Sequence, residues 1–406
     1  MVKIDKFAIE RWVAARSLTA KYDLSSSYAK PLSIHELMGI SDQASAQGPI
    51  SADLLSRSLG YGEMDGSTKL RSTLAGLYSV KTPEPLSVHN ISTTSGGSQA
   101  NYLVFQALCE RGDHVITQYP TYQQLTSIPR SIGAEVSLWK SKSDESWRLD
   151  VDELKDMIKP NTKMIVLTNP HNPTGAILPR STLREVIEIA REHSIIVFCD
   201  EIYRPLFHSI SPADPEFPPS AISLDYENVI VTGSMSKAYA MPGIRVGWIA
   251  SRNLKFIDQC ITHRSYTTIS VSQIDEEIAA FALDGACLHP LLKRNLEIAR
   301  RNLPLVDSFI EQHRWACEWV RPVASSTGFI KFSKIGKPVD DAELCTQLFE
   351  KKGLLLVPGS SCFGDNVDFK GYVRIGYAGS TEELEAALKE LKQFMQEDYE
   401  HVAWAK

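Results

Sequence analysis

The sequence of 406 residues has few cysteines, no excess of positive charge and no long hydrophobic run. Its seven cysteines are odd in number and form no Cys-X-X-Cys pair, which favours free thiols in a reducing compartment over a disulfide framework or a zinc site. A formal net charge of −6 gives no global basic field for nucleic acid or an anionic membrane. We therefore expect no metal site, although a local basic pocket for a small anion stays possible.

No stretch is long enough to span a bilayer, and the N-terminal segment mixes acidic with basic residues, unlike a signal peptide. Hydrophobic residues make up 43% and charged residues 23% of the chain, which is the usual balance of a globular protein. These features predict a cytoplasmic enzyme without a membrane or nucleic-acid partner. The length predicts more than one domain.

Short apolar runs separated by helical segments fill the middle of the chain, as in "KMIVLTNP", "SIIVFCDE" and "NVIVTGS". This pattern predicts an α/β fold with a mostly parallel sheet that is covered on both faces. We assign residues 50–290 to this large domain. Over residues 291–406 the predicted helices are longer and the predicted strands are fewer. This pattern predicts a smaller α+β lobe. Residues 1–49, with a helix predicted over 4–22, are expected to join that small domain.

Residues that could bind a ligand or take part in a reaction follow the predicted strands. In open α/β sheets, ligands bind at these strand ends. Gly97 lies in "SGGSQ" at the start of a predicted helix, where free backbone N–H groups suit a phosphate. A tight turn without a ligand is the other interpretation of this sequence. Asn172 lies between two prolines that fix its backbone for a hydrogen bond to a ligand, or for a structural one. Asp200 ends a buried strand, where it needs a cationic partner from a ligand or from the protein.

Two cations stand in the stretch "SMSKAYAMPGIRVGW", which otherwise has small and apolar residues. Lys237 in such a site is a weaker base than in water, and an amine of this kind forms a Schiff base with an aldehyde. Arg245 can bind a phosphate through two parallel hydrogen bonds. We expect these groups to lie in one crevice: the phosphate-binding helix start, the Asn172 amide, the Asp200 carboxylate, Lys237 and Arg245. Together they match the functional groups of pyridoxal 5′-phosphate (PLP).

The motifs "NPHNPTG", "DEIY", "SMSKAYAMPGIRVGW" and "VRIGYA" occur in the order and spacing of one family. With them the sequence resembles the class I/II aminotransferases of the fold-type I PLP-dependent enzymes over nearly its whole length. The resemblance implies a seven-stranded, mostly parallel sheet in the large lobe. It also implies roles for individual residues: Lys237, Asp200 and Tyr203 in catalysis; Gly97, Ser98, Gln99, Tyr122, Asn172, Asp200, Tyr203, Ser234, Ser236, Lys237 and Arg245 in cofactor binding; and Arg374, Asn172 and Tyr28 in substrate binding.

Tyr61 matches the family tyrosine that reaches the phosphate of the neighbouring subunit, which implies a homodimer with active sites at the interface. The implied reaction is transamination, in which an amino acid passes its amino group to a 2-oxo acid as Lys237 moves protons at the substrate carbon. A transcription regulator with an aminotransferase-like domain would need an added basic helix-turn-helix region, and the segment before the core is not basic. A non-catalytic cofactor binder is disfavoured because Lys237 and Arg374 are both present.

One segment departs from the family pattern. Many members have a glycine in an "LSxGxP"-like segment beside the substrate, whereas this chain has "YDLSSSYAKPLS" with Tyr28. This feature resembles a subgroup that includes capreomycidine synthase, which cyclises a hydroxylated arginine. Elimination, replacement, cyclisation or oxidation of an amino acid in a biosynthetic pathway therefore stays an alternative. Tyr266 and Cys362 are further candidates for the pocket, with ordinary packing as their other explanation.

Overall fold

The computed structural model describes residues 4–41, 48–80, 82 and 84–406. The helices in these ranges are α1 Ala8–Ala14, α2 Ile34–Gly39, α3 Ala52–Ser56, α4 Thr68–Ser79, α5 Gly97–Leu108, α6 Gln124–Ile132, α7 Val151–Met157, α8 Arg180–Glu192, α9 Leu254–Ser265, α10 Gln273–Leu283, α11 Gly285–Gln312, α12 Asp341–Lys352, α13 Gly359–Phe363 and α14 Thr381–Glu397. The strands are β1 Tyr22–Asp23, β2 Ile91–Thr94, β3 His114–Tyr119, β4 Glu135–Lys140, β5 Thr162–Thr168, β6 Ile196–Asp200, β7 Val229–Ser234, β8 Gly247–Ser251, β9 Cys317–Trp319, β10 Thr327–Lys334, β11 Lys337–Pro338, β12 Leu354–Leu355, β13 Val357–Pro358 and β14 Tyr372–Gly376.

A seven-stranded sheet organises the middle of the chain, with strand order β2-β8-β7-β6-β5-β3-β4. Strands β4, β3, β5, β6 and β7 run parallel, while β8 lies antiparallel between β2 and β7. The α/β class and the mostly parallel sheet predicted from the sequence are confirmed. The sequence did not predict β8, because its few apolar residues directly follow the polar and glycine-rich turn around Arg245.

Both faces of this sheet are covered, as the strand β5 shows. Ile165 and Leu167 belong to one apolar cluster, and Met164 and Val166 belong to another. Successive residues of a strand point to opposite faces, so the two clusters lie on opposite sides of the sheet. A strand of this kind must be apolar at every position, which is why its sequence reads as a continuous run.

A second sheet of antiparallel strands forms after residue 312, with order β11-β10-β14-β13 and β9 beside β10. Its apolar residues share a core with α12 and α14, as Phe332, Ile375 and Phe394 illustrate. The N-terminal segment joins this part of the fold: β1 pairs with β12, and the Trp12 indole Nε1 donates to the Leu356 carbonyl over 2.8 Å. The predicted helix over 4–22 is too long, because α1 ends at Ala14 and the chain then turns into β1.

Helix α11 connects the two cores. Leu288 and Leu291 belong to the core of the large sheet, whereas Leu303 and Val306 belong to the core of the second sheet. The boundary expected at residues 290/291 falls inside this helix, so the division into domains stays a prediction. Within the described residues, no helix combines the length and apolarity needed to cross a membrane.

Candidate active site

A cavity of about 410 Å³ lies at the carboxyl ends of the parallel strands. Most of the residues predicted for the site line it, namely Tyr28, Gly97, Ser98, Tyr122, Asn172, Asp200, Tyr203, Ser236, Lys237 and Arg245. A larger cavity of about 550 Å³ lies elsewhere, against Trp147 and Tyr372, and none of the predicted residues lines it. The smaller cavity is therefore the candidate active site, because the predicted residues line it.

One end of the cavity is a backbone cradle at the start of α5. Gly96 precedes the helix with φ +84°, a left-handed conformation that favours glycine. A Cβ on Gly97 would lie 2.8 Å from the Ile202 Cδ1, and a Cβ on Gly247 would lie 2.5 Å from the Gly96 carbonyl carbon. Gly247 thus keeps the helix N-terminus close to β8, Gly97 keeps it close to Ile202, and Arg245 lies against Gly96. This arrangement suits a phosphate.

Two serine hydroxyls stand beside this cradle. The Ser234 Oγ lies 2.8 Å from the Ser236 Oγ, and it also accepts a hydrogen bond from the Ser236 backbone N–H. Ser236 lines the cavity, whereas Ser234 is buried and donates to the Val246 carbonyl. Ser236 is therefore the hydroxyl that faces the cavity, and Ser234 is hydrogen-bonded to it.

The carboxylate of Asp200 lines the same cavity. Its Oδ2 accepts from the Asn101 Nδ2 over 2.8 Å, and its Oδ1 accepts from the Ile202 N–H over 3.0 Å. Burial raises the pKa of Asp200, while these two hydrogen bonds act in the other direction. Asn101 is fixed in turn by the Thr232 hydroxyl, which donates to its Oδ1 over 2.7 Å. The sequence did not single out Asn101.

Lys237 also lines this cavity. Its Nζ donates to the Ser27 Oγ over 2.8 Å. Burial and the positive charge of Arg374 lower the pKa of Lys237 to about 8. An amine with this pKa is partly neutral near pH 7, so it can act as a nucleophile or as a base.

Arg374, on β14, is buried next to Asn172. Its Nη1 donates to the Asn172 Oδ1 over 3.2 Å, and its Nη2 donates to the Ser25 carbonyl over 2.5 Å. Both acceptors are neutral, and the Nε has no hydrogen-bond partner among the described residues. Burial lowers the pKa of this guanidinium. A buried donor of this kind is costly until an anion binds it, and a carboxylate matches its geometry.

The N-terminal helix α1 supplies a wall of the cavity that the sequence did not predict. Phe7 and Glu10 line the cavity, and the Tyr122 hydroxyl donates to the Glu10 Oε1 over 2.7 Å. The Phe7 and Tyr122 rings lie 5.0 Å apart between centroids. The Ala8 N–H donates to the Gln123 Oε1 over 2.7 Å, which fixes α1 beside α6. No motif marked Glu10, because its place depends on contacts between distant segments.

Other candidates lie outside the cavity. The Gln99 side chain bonds to the Ser95 N–H and the Thr268 hydroxyl, so only its backbone belongs to the helix start. Tyr61 and Tyr266 are 78% and 89% exposed in the single chain. Cys362 is buried, and burial raises the pKa of its thiol to about 11, which keeps the thiol protonated at neutral pH.

A family model described as aminotransferase class I and II matches residues 43–391. The chain belongs to this family. The aminotransferase is 29% identical to capreomycidine synthase of Streptomyces vinaceus over 387 residues, which cover 95% of this chain and 92% of that protein. It also resembles the crystal structure of a PLP-dependent aminotransferase from Streptococcus suis 89-1591, with 35% identity, a TM-score of 0.85 and coverage of 97% and 98% of the two chains. A PLP-dependent cyclase, OrfR, matches with 25% identity and a TM-score of 0.84 over 97% of this chain and 98% of the other.

The cofactor of this family is PLP, and the residues of the aminotransferase fit it. The cradle at Gly96, Gly97 and Gly247 has no room for side chains, which suits the close approach of a phosphate. Asp200 offers a carboxylate to a ring nitrogen, and Lys237 offers a partly neutral amine to an aldehyde. The predicted fold, enzyme class and cofactor are therefore confirmed, while the roles of individual residues stay predictions.

Proposed function

We propose that this aminotransferase passes the amino group of an α-amino acid to a 2-oxo acid in the cavity at Lys237. The observation that carries this proposal is the Lys237 amine: it lines the cavity together with Asp200, and burial and the positive charge of Arg374 lower its pKa to about 8. A lysine in this state can lose and regain a proton near neutral pH, as a transamination base must.

PLP, when bound, supplies an electron sink for the bonds of the substrate α-carbon. Arg374 would bind the substrate α-carboxylate through its fork of N–H donors, which fixes the orientation of the α-carbon. Asp200 would keep the proton on the ring nitrogen. Lys237 would take the proton from the α-carbon and return it at a neighbouring carbon. Asn172 and Tyr203, both next to Arg374, would donate to the phenolic oxygen of the ring.

We also propose that the substrate side chain carries a positive charge. Asp200 and Glu10 are the acidic side chains that line the cavity, and the first is assigned to the cofactor ring. Glu10 lies on the wall made by α1, and only its Oε1 has Tyr122 as a donor in the described contacts. The rings of Phe7 and Tyr122 line the same cavity, and aromatic faces attract a planar guanidinium. An arginine-like amino acid fits this wall.

A second candidate reaction is cyclisation or elimination on the same kind of amino acid. The similarity to capreomycidine synthase and to the PLP-dependent cyclase OrfR favours it, over the whole chain. The same cavity and the same Lys237 would serve this reaction. The difference lies in what happens after the first proton is removed.

One mass-spectrometric screen separates these reactions. The PLP-loaded protein is incubated with a panel of amino acids, with and without pyruvate or 2-oxoglutarate. Transamination gives a keto acid from the donor and converts the cofactor to its pyridoxamine form. Ammonia or a cyclic product without a keto acceptor would instead establish the second candidate. A protein that stays colourless with added PLP would contradict both.

The same panel tests the side-chain assignment. Glu10→Gln should lower kcat/KM for arginine and lysine about 10- to 100-fold, since a charge-assisted contact is lost, and should leave a neutral amino acid of similar length unaffected. Glu311→Gln, a change on the exposed end of α11, is the matched control. Equal losses for charged and neutral substrates would refute a cationic substrate.

Three further assignments belong to this proposal. We propose a homodimer in which Tyr61 of each protomer completes the phosphate site of the other, which agrees with its exposure in the single chain. We propose a large domain over 50–290 and a small domain over 1–49 and 291–406. A biosynthetic role in the cytoplasm rests on the resemblance and on the odd number of cysteines.

A further inference from the structure

Three serines precede Tyr28 in the segment where many family members have a glycine. This segment is clamped on both sides. The Leu24 N–H donates to the Leu355 carbonyl over 3.1 Å, and the Ser25 carbonyl accepts from Arg374. The Ala29 N–H donates to the Lys237 carbonyl over 3.2 Å. The segment is therefore attached directly to the loop that carries the lysine.

Ser27 points its hydroxyl at the lysine amine. It is 9% exposed, lines the cavity and accepts from the Lys237 Nζ over 2.8 Å. Tyr203 lines the same cavity; burial raises the pKa of this tyrosine to about 12, and the neighbouring Ser27 hydroxyl acts against that rise. Lys237, Ser27 and Tyr203 are thus three neighbouring polar groups that line the cavity. A glycine in place of Ser27 would have no hydroxyl to contribute.

We propose that Ser27 is a positioning residue that holds the Lys237 amine beside the substrate carbon whenever this amine is free of the cofactor. This inference rests on the proposed function. It adds the Ser27 hydroxyl as the group that sets the position of the free Lys237 amine. As the ammonium, Lys237 donates an N–H to the Ser27 Oγ, while the Ser27 O–H donates towards Tyr203. Ser27 neither gains nor loses a proton overall, so it acts through the place and pKa of Lys237.

The charged and titratable groups around this amine come from several elements, and the effect of Ser27 must be separated from theirs. Those that face Lys237 are Glu10 on α1, Asp200 at the end of β6, Arg245 after the lysine loop, Arg374 on β14, and the phenols Tyr28 and Tyr203. Replacement of Ser27 by alanine leaves all of them in place and changes the volume very little. A changed Lys237 pKa in this variant therefore reports the lost hydroxyl.

The first test uses the protein without cofactor. The rate at which Lys237 reacts with acetic anhydride is followed against pH by mass spectrometry, which gives the pKa of this one amine. A hydrogen bond accepted from the ammonium favours its charged form, so Ser27→Ala should lower the Lys237 pKa by about one unit. Ser27→Thr, which keeps a hydroxyl, should restore it. Ser308→Ala on the exposed face of α11 is the matched control. An unchanged or raised pKa in Ser27→Ala would overturn the proposal.

The second test uses the PLP-loaded enzyme. Ser27→Ala should lower kcat about tenfold with little change in KM, because the base is misplaced while substrate binding persists. The kinetic isotope effect of an α-deuterated substrate should rise, and Ser27→Thr should recover most of the rate. A change in KM alone would indicate a packing role and refute the positioning role. If the protein binds no PLP, the proposed function fails, whereas the cofactor-free titration of Lys237 still decides the role of Ser27.

Discussion

Replacement of Arg374 by lysine tests the site most directly, because it keeps the charge and removes the fork. The guanidinium is buried, its acceptors are the neutral oxygens of Asn172 and Ser25, and its Nε has no partner among the described residues. Its donors are thus ready for a carboxylate. We expect Arg374→Lys to lose one charge-assisted hydrogen bond, about 2–3 kcal/mol, which corresponds to a fall of roughly 30- to 150-fold in kcat/KM.

The assay compares two amines with the same side chain, one with and one without the α-carboxylate. Single-turnover changes in the cofactor absorbance are recorded for both with the PLP-loaded protein. The fall should appear for the amino acid and be close to absent for the decarboxylated amine. Arg130→Lys, at an exposed ion pair with Asp365, is the control and should change neither rate. Equal losses for both amines would show that Arg374 shapes the cavity and does not bind the carboxylate.

The same residue gives an expectation for stability. A guanidinium without a carboxylate partner is expensive to bury, and an apolar side chain of similar volume removes this cost, which we expect to offset the donors that the Asn172 and Ser25 oxygens lose. Arg374→Met should therefore keep or raise the Tm of the cofactor-free protein while it abolishes activity on amino acids. A fall in Tm of more than a few degrees would mean that the hydrogen bonds to Asn172 and Ser25 support the fold.

Three further predictions concern the lysine, the cradle and the subunit contact. Burial and Arg374 lower the Lys237 pKa from 10.5 to about 8, so the unfolded chain binds this proton more tightly and stability should rise between pH 8 and pH 10.5; chemical denaturation of Lys237→Met should lack this rise. Gly247→Ala places a Cβ 2.5 Å from the Gly96 carbonyl carbon and should weaken PLP binding at least tenfold in a fluorescence titration, whereas Gly285→Ala, which meets open space, should not. Tyr61→Phe should weaken PLP binding several-fold, and light scattering should give twice the 45.2 kDa chain mass; a monomeric protein whose Tyr61→Phe variant binds PLP as tightly as the unaltered chain would contradict the shared site.

Three of the predicted residues that line the cavity lie at the ends of parallel strands. Asn172, Asp200 and Lys237 come after β5, β6 and β7, and adjacent parallel strands bring their carboxyl ends to one edge. The residue types at the strand ends were therefore enough to predict that these side chains share one cavity. The strand order did not follow from the same reasoning, because β8 is antiparallel and its insertion between β2 and β7 has no local signal.

The residues that the sequence missed reach the cavity by tertiary contacts. Glu10 depends on the docking of α1 through Trp12 and Gln123, and Ser27 depends on the pairing of β1 with β12. Neither contact has a periodic pattern or a spacing rule, since the partners are more than one hundred residues apart. Asn101 was missed for another reason: it lies one turn inside α5, where a polar residue reads as part of an amphipathic helix.

The arrangement of Arg374 and Lys237 implies a coupling between substrate binding and base strength. In the empty cavity burial and the Arg374 guanidinium together lower the pKa of Lys237, and this keeps the amine partly neutral. A carboxylate bound to Arg374 would neutralise that field, so the Lys237 pKa should rise as the amine is required to take a proton from the α-carbon. Titration of Lys237 in the cofactor-free protein should therefore give a higher pKa with a saturating substrate analogue that has the carboxylate and lacks the amine. In Arg374→Met the Lys237 pKa should already be higher than in the unaltered protein, although burial still lowers it, and the analogue should not shift it further; a shift of equal size in that variant would show that the two residues act independently.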